Sequence, residues 1–406
     1  MKQIPFSPPR IDNRTIDAVN EVLKSGWITT GPKTRLLEQK INEYCQVQQT
    51  LCLNSWTNAA ELVLRWFGVG PGDEVIIPAY TYAATANIVI HVGAKPVLAD
   101  VVEGTFLIDY DQLESLITER TKVIMPVDIG GLPVDYDRIM DVVGSSLVKQ
   151  KFNPSTENQK ILGRILVLSD AAHSFGAMYK GKRVGSQTDV AGFSFHAVKN
   201  LTTAEGGAVT FNLPKPFNNE EIRKSLNISA LHGQTKDALS KTQAGQWRYD
   251  IIEAGYKCNM TDIHAAIGLV ELERYQETLD RRRDICKLYT EILKETTLFK
   301  LPMFESEVST SCYHLYMVNV AGASELQRDE IITQLALLGI STNVHFQPIP
   351  LLSFYKEKGY KMEEYPNAYA SYISEISLPV YYDLTDEDVR FIASNLIAVT
   401  NAVMNG

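Results

Sequence analysis

The segment from Phe193 to Val209 reads Phe-Ser-Phe-His-Ala-Val-Lys-Asn-Leu-Thr-Thr-Ala-Glu-Gly-Gly-Ala-Val. Lys199 stands in it among apolar and small residues, with one acid, Glu205, close by. A surface lysine normally has polar neighbours, so this one reads as an amine on a turn, partly screened from water. Desolvation disfavours the ammonium form, and such an amine is deprotonated and nucleophilic near neutral pH. Schiff-base chemistry with an aldehyde needs that kind of amine. The plainer alternative is a solvated lysine following a strand.

A second stretch, Arg164-Ile-Leu-Val-Leu-Ser-Asp-Ala-Ala-His-Ser-Phe-Gly-Ala, carries a buried strand that delivers Asp170 at its end, with His173 just beyond. A carboxylate there pairs with a ring nitrogen and holds it protonated, which makes a pyridine ring an electron sink. An acid at a strand end is as often a helix cap. Asp170 lies 29 residues before Lys199, with two short strands expected between them, so both reach one site. Lys199 with Asp170 points to pyridoxal 5'-phosphate. A third piece is Asn54-Ser55-Trp56-Thr57-Asn58, where a short strand runs into a helix with Leu62, Val63 and Trp66 inward. Hydroxyls and free amides at a helix start form an anion site, unless the start is an ordinary cap.

These pieces need a frame. Strands are expected at 74–78, 95–100, 122–127 and 165–169, alternating with helices, one of them opening at Tyr80-Thr81-Tyr82. That alternation predicts an α/β domain with a mainly parallel sheet. Ligands then collect at the carboxyl ends of the strands, where 54–58, 80–82, 128–131 and Asp170 all fall. Before the sheet, residues 13–24 put Ile16, Val19, Val22 and Leu23 on one helical face. The loop 27–32 is either a plain connection or a ligand wall, and 36–45 is a second helix. Residues 214–250 lose the pattern and hold Lys236, Lys241 and Arg248, which suits a loop near the site. Thr261 or Asp262 caps a long helix running to about Leu293, with Arg and Glu outward. Strands at 313–320 and 341–346, a helix at 328–338 and a last helix at 384–403 complete a smaller α+β domain. The division is read as 1–250 for the large domain and 251–406 for the small one.

The totals exclude some classes. The net charge of −9 comes with no basic patch, which argues against nucleic acid as a partner. The cysteines at 45, 52, 258, 286 and 312 are odd in number and lack metal-site spacing. They suit reduced thiols in a cytoplasmic protein, and no metal is expected. The first residues lack a signal-peptide run, and no segment reaches the length of a membrane span.

Taken together, Asp170-Ala-Ala-His and Ser194-Phe-His-Ala-Val-Lys-Asn-Leu-Thr-Thr-Ala-Glu-Gly-Gly-Ala resemble a known family. So do Ser25-Gly-Trp-Ile-Thr-Thr-Gly-Pro, Pro78-Ala-Tyr-Thr-Tyr-Ala-Ala-Thr-Ala, Gly255-Tyr-Lys-Cys-Asn-Met-Thr-Asp-Ile, Val344-His-Phe-Gln-Pro and Leu378-Pro-Val-Tyr. In this order they are similar to the DegT-type nucleotide-sugar aminotransferases, which have the aspartate-aminotransferase fold (fold type I). The resemblance implies that Lys199 anchors pyridoxal phosphate and moves the proton, and that Asp170 partners the pyridine nitrogen. It implies that His173 contacts the ring or its phenolic oxygen, and that Tyr82 stacks on the ring. It makes Thr57, the amide of Asn58 and Ser194 a phosphate cup. Asn259 would reach the phosphate from the neighbouring subunit of a homodimer.

Glutamate is the implied amino donor and a nucleotide-linked keto-sugar the acceptor, with C4 of the sugar favoured over C3 by the 255–262 run. Thr30, His314 and His345 are candidate substrate contacts, although each histidine also reads as an ordinary hydrogen-bonded core residue. The sequence departs from the family pattern at Trp56, where a small residue is common, and at Asp128, where histidine is. Residues 147–163 look like an inserted surface loop without a role. One rival is a sugar dehydratase on the same fold, whose relatives carry histidine where this chain has Lys199. The other is a regulatory protein that kept the fold without the chemistry.

Overall fold

The computed structural model describes residues 2–236 and 248–405, so Lys241 lies outside the described residues. Among the described residues no helix is long and apolar enough to cross a membrane. The chain enters through two helices, Asn13–Ser25 and Pro32–Cys45, and then builds β1 (Gln49–Leu53), β2 (Glu74–Pro78), β3 (Lys95–Ala99), β4 (Thr121–Ile124) and β5 (Leu166–Asp170). A two-residue pair, β6 (Met178–Tyr179) and β7 (Lys182–Arg183), precedes β8 (Val190–Ser194) and β9 (Gly207–Phe211). The main sheet has the order β1-β9-β8-β5-β4-β2-β3, and β9 alone runs against the rest. Its strands are buried almost end to end, because helices cover both faces of a parallel sheet. The expected α/β class and mainly parallel sheet are therefore present. Asn54–Asn58, Tyr80–Tyr82 and Asp170 with its following turn all leave the sheet at strand ends.

A second apolar core gathers Ile285, Tyr289, Tyr316, Ile331, Ile376 and Leu396, with Ile4 reaching in from the N-terminus. It is built on the antiparallel strands β10 (Phe299–Lys300), β12 (Tyr316–Val320) and β13 (Glu375–Leu378) and on the helices Tyr275–Leu293, Glu325–Leu337 and Asp386–Asn405. The strand β11 (Ser309–Thr310) pairs instead with β6, tying the two bodies together. The helix Asp262–Glu273 packs on the first two helices. We therefore propose that the change of core falls inside Tyr275–Leu293.

Several expectations need correction. Residues 341–346 form no strand; they make one bridge, Asn343 to Ser377, and otherwise follow the cavity wall. The long helix is two, Asp262–Glu273 and Tyr275–Leu293, and its arginines are not all outward. Arg274 at the junction is buried and binds Glu271, Asp12 and the carbonyl of Arg10; Arg282 is buried on the carbonyls of Tyr313 and His314. Ile16 and Leu23 are about half exposed, because the first helix turns Thr15 and Val22 inward, Thr15 towards Arg274. Nor is the 147–163 stretch a loop. It forms the helices Ser146–Lys151 and Glu157–Leu162. Thr156 Oγ1 and Gln159 Nε2 donate to the carbonyl of Phe67 at 3.1 and 3.0 Å, and Asn158 Nδ2 donates to that of Trp66 at 2.8 Å. Carbonyls at a helix C-terminus lack partners within the helix; the insertion supplies them to Trp56–Phe67, whose other end faces the site.

Candidate active site

A cavity of about 530 Å³ opens at the strand ends, between the two cores. Thr57, Tyr82, Asp170, His173, Ser194, Lys199, His314 and His345 all line it. The parallel strands set this convergence: β5 ends in Asp170, β8 ends in Ser194, and Lys199 sits on the turn that follows. Thr57 is the second residue of the helix Trp56–Phe67, whose N-cap is Ser55. Tyr82 caps the helix Ala83–His91 and is 61% exposed, its ring 5.4 Å from that of Phe346.

Asp170 is buried, and that burial pushes its carboxyl up from the ordinary range, against donors that favour the anion. Thr85 Oγ1 donates to Oδ2 at 2.9 Å, while Trp56 Nε1 at 2.8 Å and the Ala172 N–H at 3.2 Å donate to Oδ1. The charge of Lys199 acts on the same carboxylate. In turn burial pushes the half-buried Lys199 amine down to about 8, against the charge of Asp170. A substantial fraction of that amine is neutral near physiological pH.

Trp56 thus fills its position for a reason the sequence only half disclosed. Its indole carries a donor to Asp170, and its ring lies so close to β8 that a Cβ at Gly192 would come within 1.7 Å of it. A glycine inside a strand marks such an approach, and this was the signal available. Asp128, the other departure, is fully buried. It accepts from the Val134 N–H at 3.0 Å and from the hydroxyls of Tyr136 and Ser174, both at 2.5 Å. Those bonds brace the turn in which the Gly130 N–H donates to His173 Nδ1 at 3.2 Å. His173 therefore holds its proton on Nε2, and burial first, then the charge of Lys199, keeps the ring neutral.

His314 and His345 prove to be both hydrogen-bonded and cavity-lining. Asn200 Nδ2 is held by the Cys312 carbonyl at 2.9 Å, so Asn200 Oδ1 faces His314 Nδ1 at 2.8 Å and accepts its proton. His345 Nδ1 lies 2.9 Å from Ser377 Oγ. Thr85, Asn200, Ser377 and Gly130 have no role assigned from the sequence, because each acts through a partner distant in the chain.

Three sequence candidates lie apart from the cavity. The Asn58 backbone N–H is taken by Ser55 Oγ at 3.1 Å and its side-chain amide by Asn54 Oδ1 at 2.8 Å. Thr30 donates to the Met260 carbonyl at 2.5 Å and accepts from Asn259 Nδ2 at 2.6 Å, so Thr30 and Asn259 hold each other. Of the two proposed caps, Thr261 caps Asp262–Glu273. Asp262 instead accepts from the N–H groups of Gly31, Lys33 and Thr34 at 2.8, 3.0 and 2.9 Å, and from Thr34 Oγ1 at 2.8 Å. It caps the helix Pro32–Cys45.

A carboxylate with ready donors, a partly neutral lysine and a capped helix N-terminus on one cavity fit pyridoxal phosphate at three distinct points: ring nitrogen, aldehyde and phosphate.

Comparison with known proteins agrees. A putative sugar aminotransferase of Streptococcus pneumoniae, Spr1654, solved in its PMP form, is 48% identical over 98% of this chain and all of that one, with a TM-score of 0.95. The spore coat polysaccharide biosynthesis protein SpsC of Bacillus subtilis is 36% identical over 95% of this chain and 94% of its own. The UDP-4-amino-4-deoxy-L-arabinose–oxoglutarate aminotransferase of Shewanella sediminis is 35% identical over 95% of each chain. The DegT/DnrJ/EryC1/StrS aminotransferase family model matches residues 9–149 and 159–397, and skips the middle of the insertion. The chain belongs to that family and is a pyridoxal phosphate-dependent aminotransferase, of a kind whose homologues serve polysaccharide and amino-sugar synthesis.

Proposed function

We propose that this enzyme moves an amino group from glutamate to a nucleotide-linked keto-sugar, at C4 of the sugar in preference to C3. The observation that carries the reading is that Lys199 and Asp170 line one cavity and act electrically on each other. Bound pyridoxal phosphate supplies the electron sink that lets a carbon next to nitrogen lose its proton. The chain supplies the rest. Lys199 Nζ anchors the cofactor, and once freed it carries the proton from one carbon to the other. Asp170 holds the ring nitrogen's proton, with its own anion supported by Thr85, Trp56 and Ala172. His173 Nε2–H points a neutral donor at the ring or its phenolic oxygen, and Tyr82 covers the ring face.

Thr57, Ser194 and the start of the helix Trp56–Phe67 hold the phosphate. Asn58 serves that helix start through its cap, not through a free amide. Asn259, turned from its own chain's cavity, reaches the phosphate of a second subunit, which makes the working unit a homodimer with its sites at the interface. The preference for C4 and for glutamate is supported by the Shewanella relative, whose name specifies a 4-amino sugar and oxoglutarate. A panel of 3-keto and 4-keto sugars on UDP, dTDP and GDP, incubated with glutamate and scored for amino-sugar and oxoglutarate, tests the reading. Amination of the 4-keto members is expected. Turnover confined to 3-keto members refutes the C4 preference, and dehydration without oxoglutarate release refutes amino transfer.

A further inference from the structure

His345 ends a hydrogen-bonded chain that runs into the second core. Its Nδ1 lies 2.9 Å from Ser377 Oγ, and Ser377 Oγ lies 2.6 Å from Glu375 Oε1. The other carboxyl oxygen, Oε2, accepts from the His345 backbone N–H at 2.9 Å. Glu375 is fully buried. The remaining ring atom, Nε2, has only a long approach from Asn343 Nδ2 at 3.5 Å, and Asn343 and His345 both line the cavity. A serine hydroxyl has one proton, so this chain has two self-consistent directions. With Glu375 ionised, Ser377 donates to it and accepts from His345 Nδ1–H, which leaves Nε2 as an acceptor. With Glu375 protonated, its proton sits on Oε1 and is donated to Ser377, which donates to His345 Nδ1. The ring proton is then on Nε2.

We propose that Glu375 is a positioning residue that acts through Ser377 to set whether His345 presents a donor or an acceptor to the sugar half of the substrate. This rests on the sugar-aminotransferase reading above. Burial lifts the Glu375 carboxyl to about 8, against the bonds from Ser377 and the His345 N–H and the charge of Arg328. Burial first, then the charge of Lys199, holds His345 down at about 3, so the ring stays neutral while the chain reverses.

Apart from Lys199, the groups facing the chain stay clear of that window. Arg328, on the helix Glu325–Leu337, is buried, lies 2.6 Å from Asp329 and donates to the carbonyl of Tyr372 at 3.0 Å. Tyr80, following β2, donates to the His345 carbonyl at 2.6 Å, and its hydroxyl is pushed far above the ordinary value by burial. Tyr372 donates to Glu325 at 2.6 Å and is likewise raised, by burial. Lys199, across the cavity, titrates near 8 in the bare chain; Glu375→Gln keeps it, so any step due to Lys199 is common to the wild type and the variant and cancels between them.

Ring-¹⁵N NMR of the holoenzyme without substrate, between pH 6.5 and 9.5, reads the tautomer. The His345 signal is assigned by its loss in His345→Gln. It is expected to pass from Nε2–H to Nδ1–H as pH rises. Glu375→Gln, whose amide oxygen takes the His345 backbone N–H and so turns its NH2 to Ser377, holds Nε2–H throughout, and Ser377→Ala removes the step. A wild-type ring fixed in one tautomer, or a step that survives either variant, overturns the proposal. With substrate, kcat/KM for the keto-sugar divided by that for glutamate is expected to step by about three- to tenfold in the wild type, the worth of one neutral hydrogen bond. Relative to Glu375→Gln the wild type shows this additional step, and an equal pH dependence of the ratio in both enzymes overturns the proposal. Failure to aminate any keto-sugar refutes the functional reading instead, and leaves the tautomer result to stand or fall by itself.

Discussion

Trp56→Phe isolates one hydrogen bond at the carboxylate that the cofactor ring must meet. Phenylalanine keeps an aromatic ring over Gly192 but removes the Nε1 donor, 2.8 Å from Asp170 Oδ1. Oδ1 then keeps only the Ala172 N–H at 3.2 Å, while Oδ2 keeps Thr85. A hydrogen bond to a charged acceptor is worth about 1.5–3 kcal/mol, or about ten- to a hundredfold in an equilibrium constant. In the bare chain burial raises the carboxyl, so a protonated form that needs the bond less is more accessible there. With a protonated ring nitrogen in place the carboxyl must be ionised, so the loss falls on binding.

In a Lys199→Ala background, where noncovalent contacts alone hold the cofactor, Trp56→Phe should raise the Kd for pyridoxal phosphate about ten- to a hundredfold at pH 7. Fluorescence titration measures it. The effect should not grow as pH rises, because the protonated bare form becomes less accessible and the lost bond then weighs on both states. A Kd within twofold of the background at pH 7, or an effect that grows with pH, would mean that Asp170 does not meet the ring as an anion.

Only neutral Lys199 attacks an aldehyde, so uptake of pyridoxal phosphate by the bare chain should accelerate about tenfold per pH unit below 8 and level off above it. Stopped-flow absorbance checks this, and a flat profile from pH 6.5 to 9 contradicts it. Asp262→Ala strips three backbone N–H groups and the Thr34 hydroxyl of their acceptor. It should cost about 2–4 kcal/mol in urea unfolding, more than an ordinary cap because the site is buried. Gly192→Ala would set a methyl against the Trp56 ring; the expected outcome is loss of cofactor binding before loss of fold, read by absorbance and circular dichroism on the same sample.

What the sequence disclosed follows the range of the forces involved. Strands 74–78 and 166–170 are runs of apolar residues closed by turn formers, so their places and the strand-end position of Asp170 were legible. Lys199 was legible because small, apolar neighbours around an amine are unusual. The break at Arg274 was not, since the pattern runs on while a buried guanidinium finds Asp12 some 260 residues away. The 341–346 segment looks like a strand because it carries Thr342, Val344 and Phe346, but its consecutive residues Asn343, Val344, His345 and Phe346 line a cavity and not a sheet. The role of Asp262 was hidden in the same way: it sits where its own helix needs a cap and serves another one instead.

Three of the imidazoles lining the cavity, those of His173, His314 and His345, show what the site requires of its surroundings. His173 takes the Gly130 N–H on Nδ1 and keeps its proton on Nε2; His314 gives its Nδ1 proton to Asn200 and keeps a lone pair on Nε2. Their ring centroids lie 4.4 Å apart. Burial drives both, and His345, towards the neutral form, and Lys199 drives them the same way. A neutral ring is a directional donor or acceptor without being a competing cation. Were any of them charged, it would repel the ammonium of Lys199 and bind the carboxylates of the amino donor wherever it stood. Held neutral, these three leave Lys199 and the helix start as positive features lining the cavity, so an anionic cofactor and an anionic donor are steered to those two places. The sugar, which offers hydroxyls of both characters, is left to the imidazoles, and that division is why the direction of the Glu375–Ser377–His345 chain should be felt in one half-reaction and not the other.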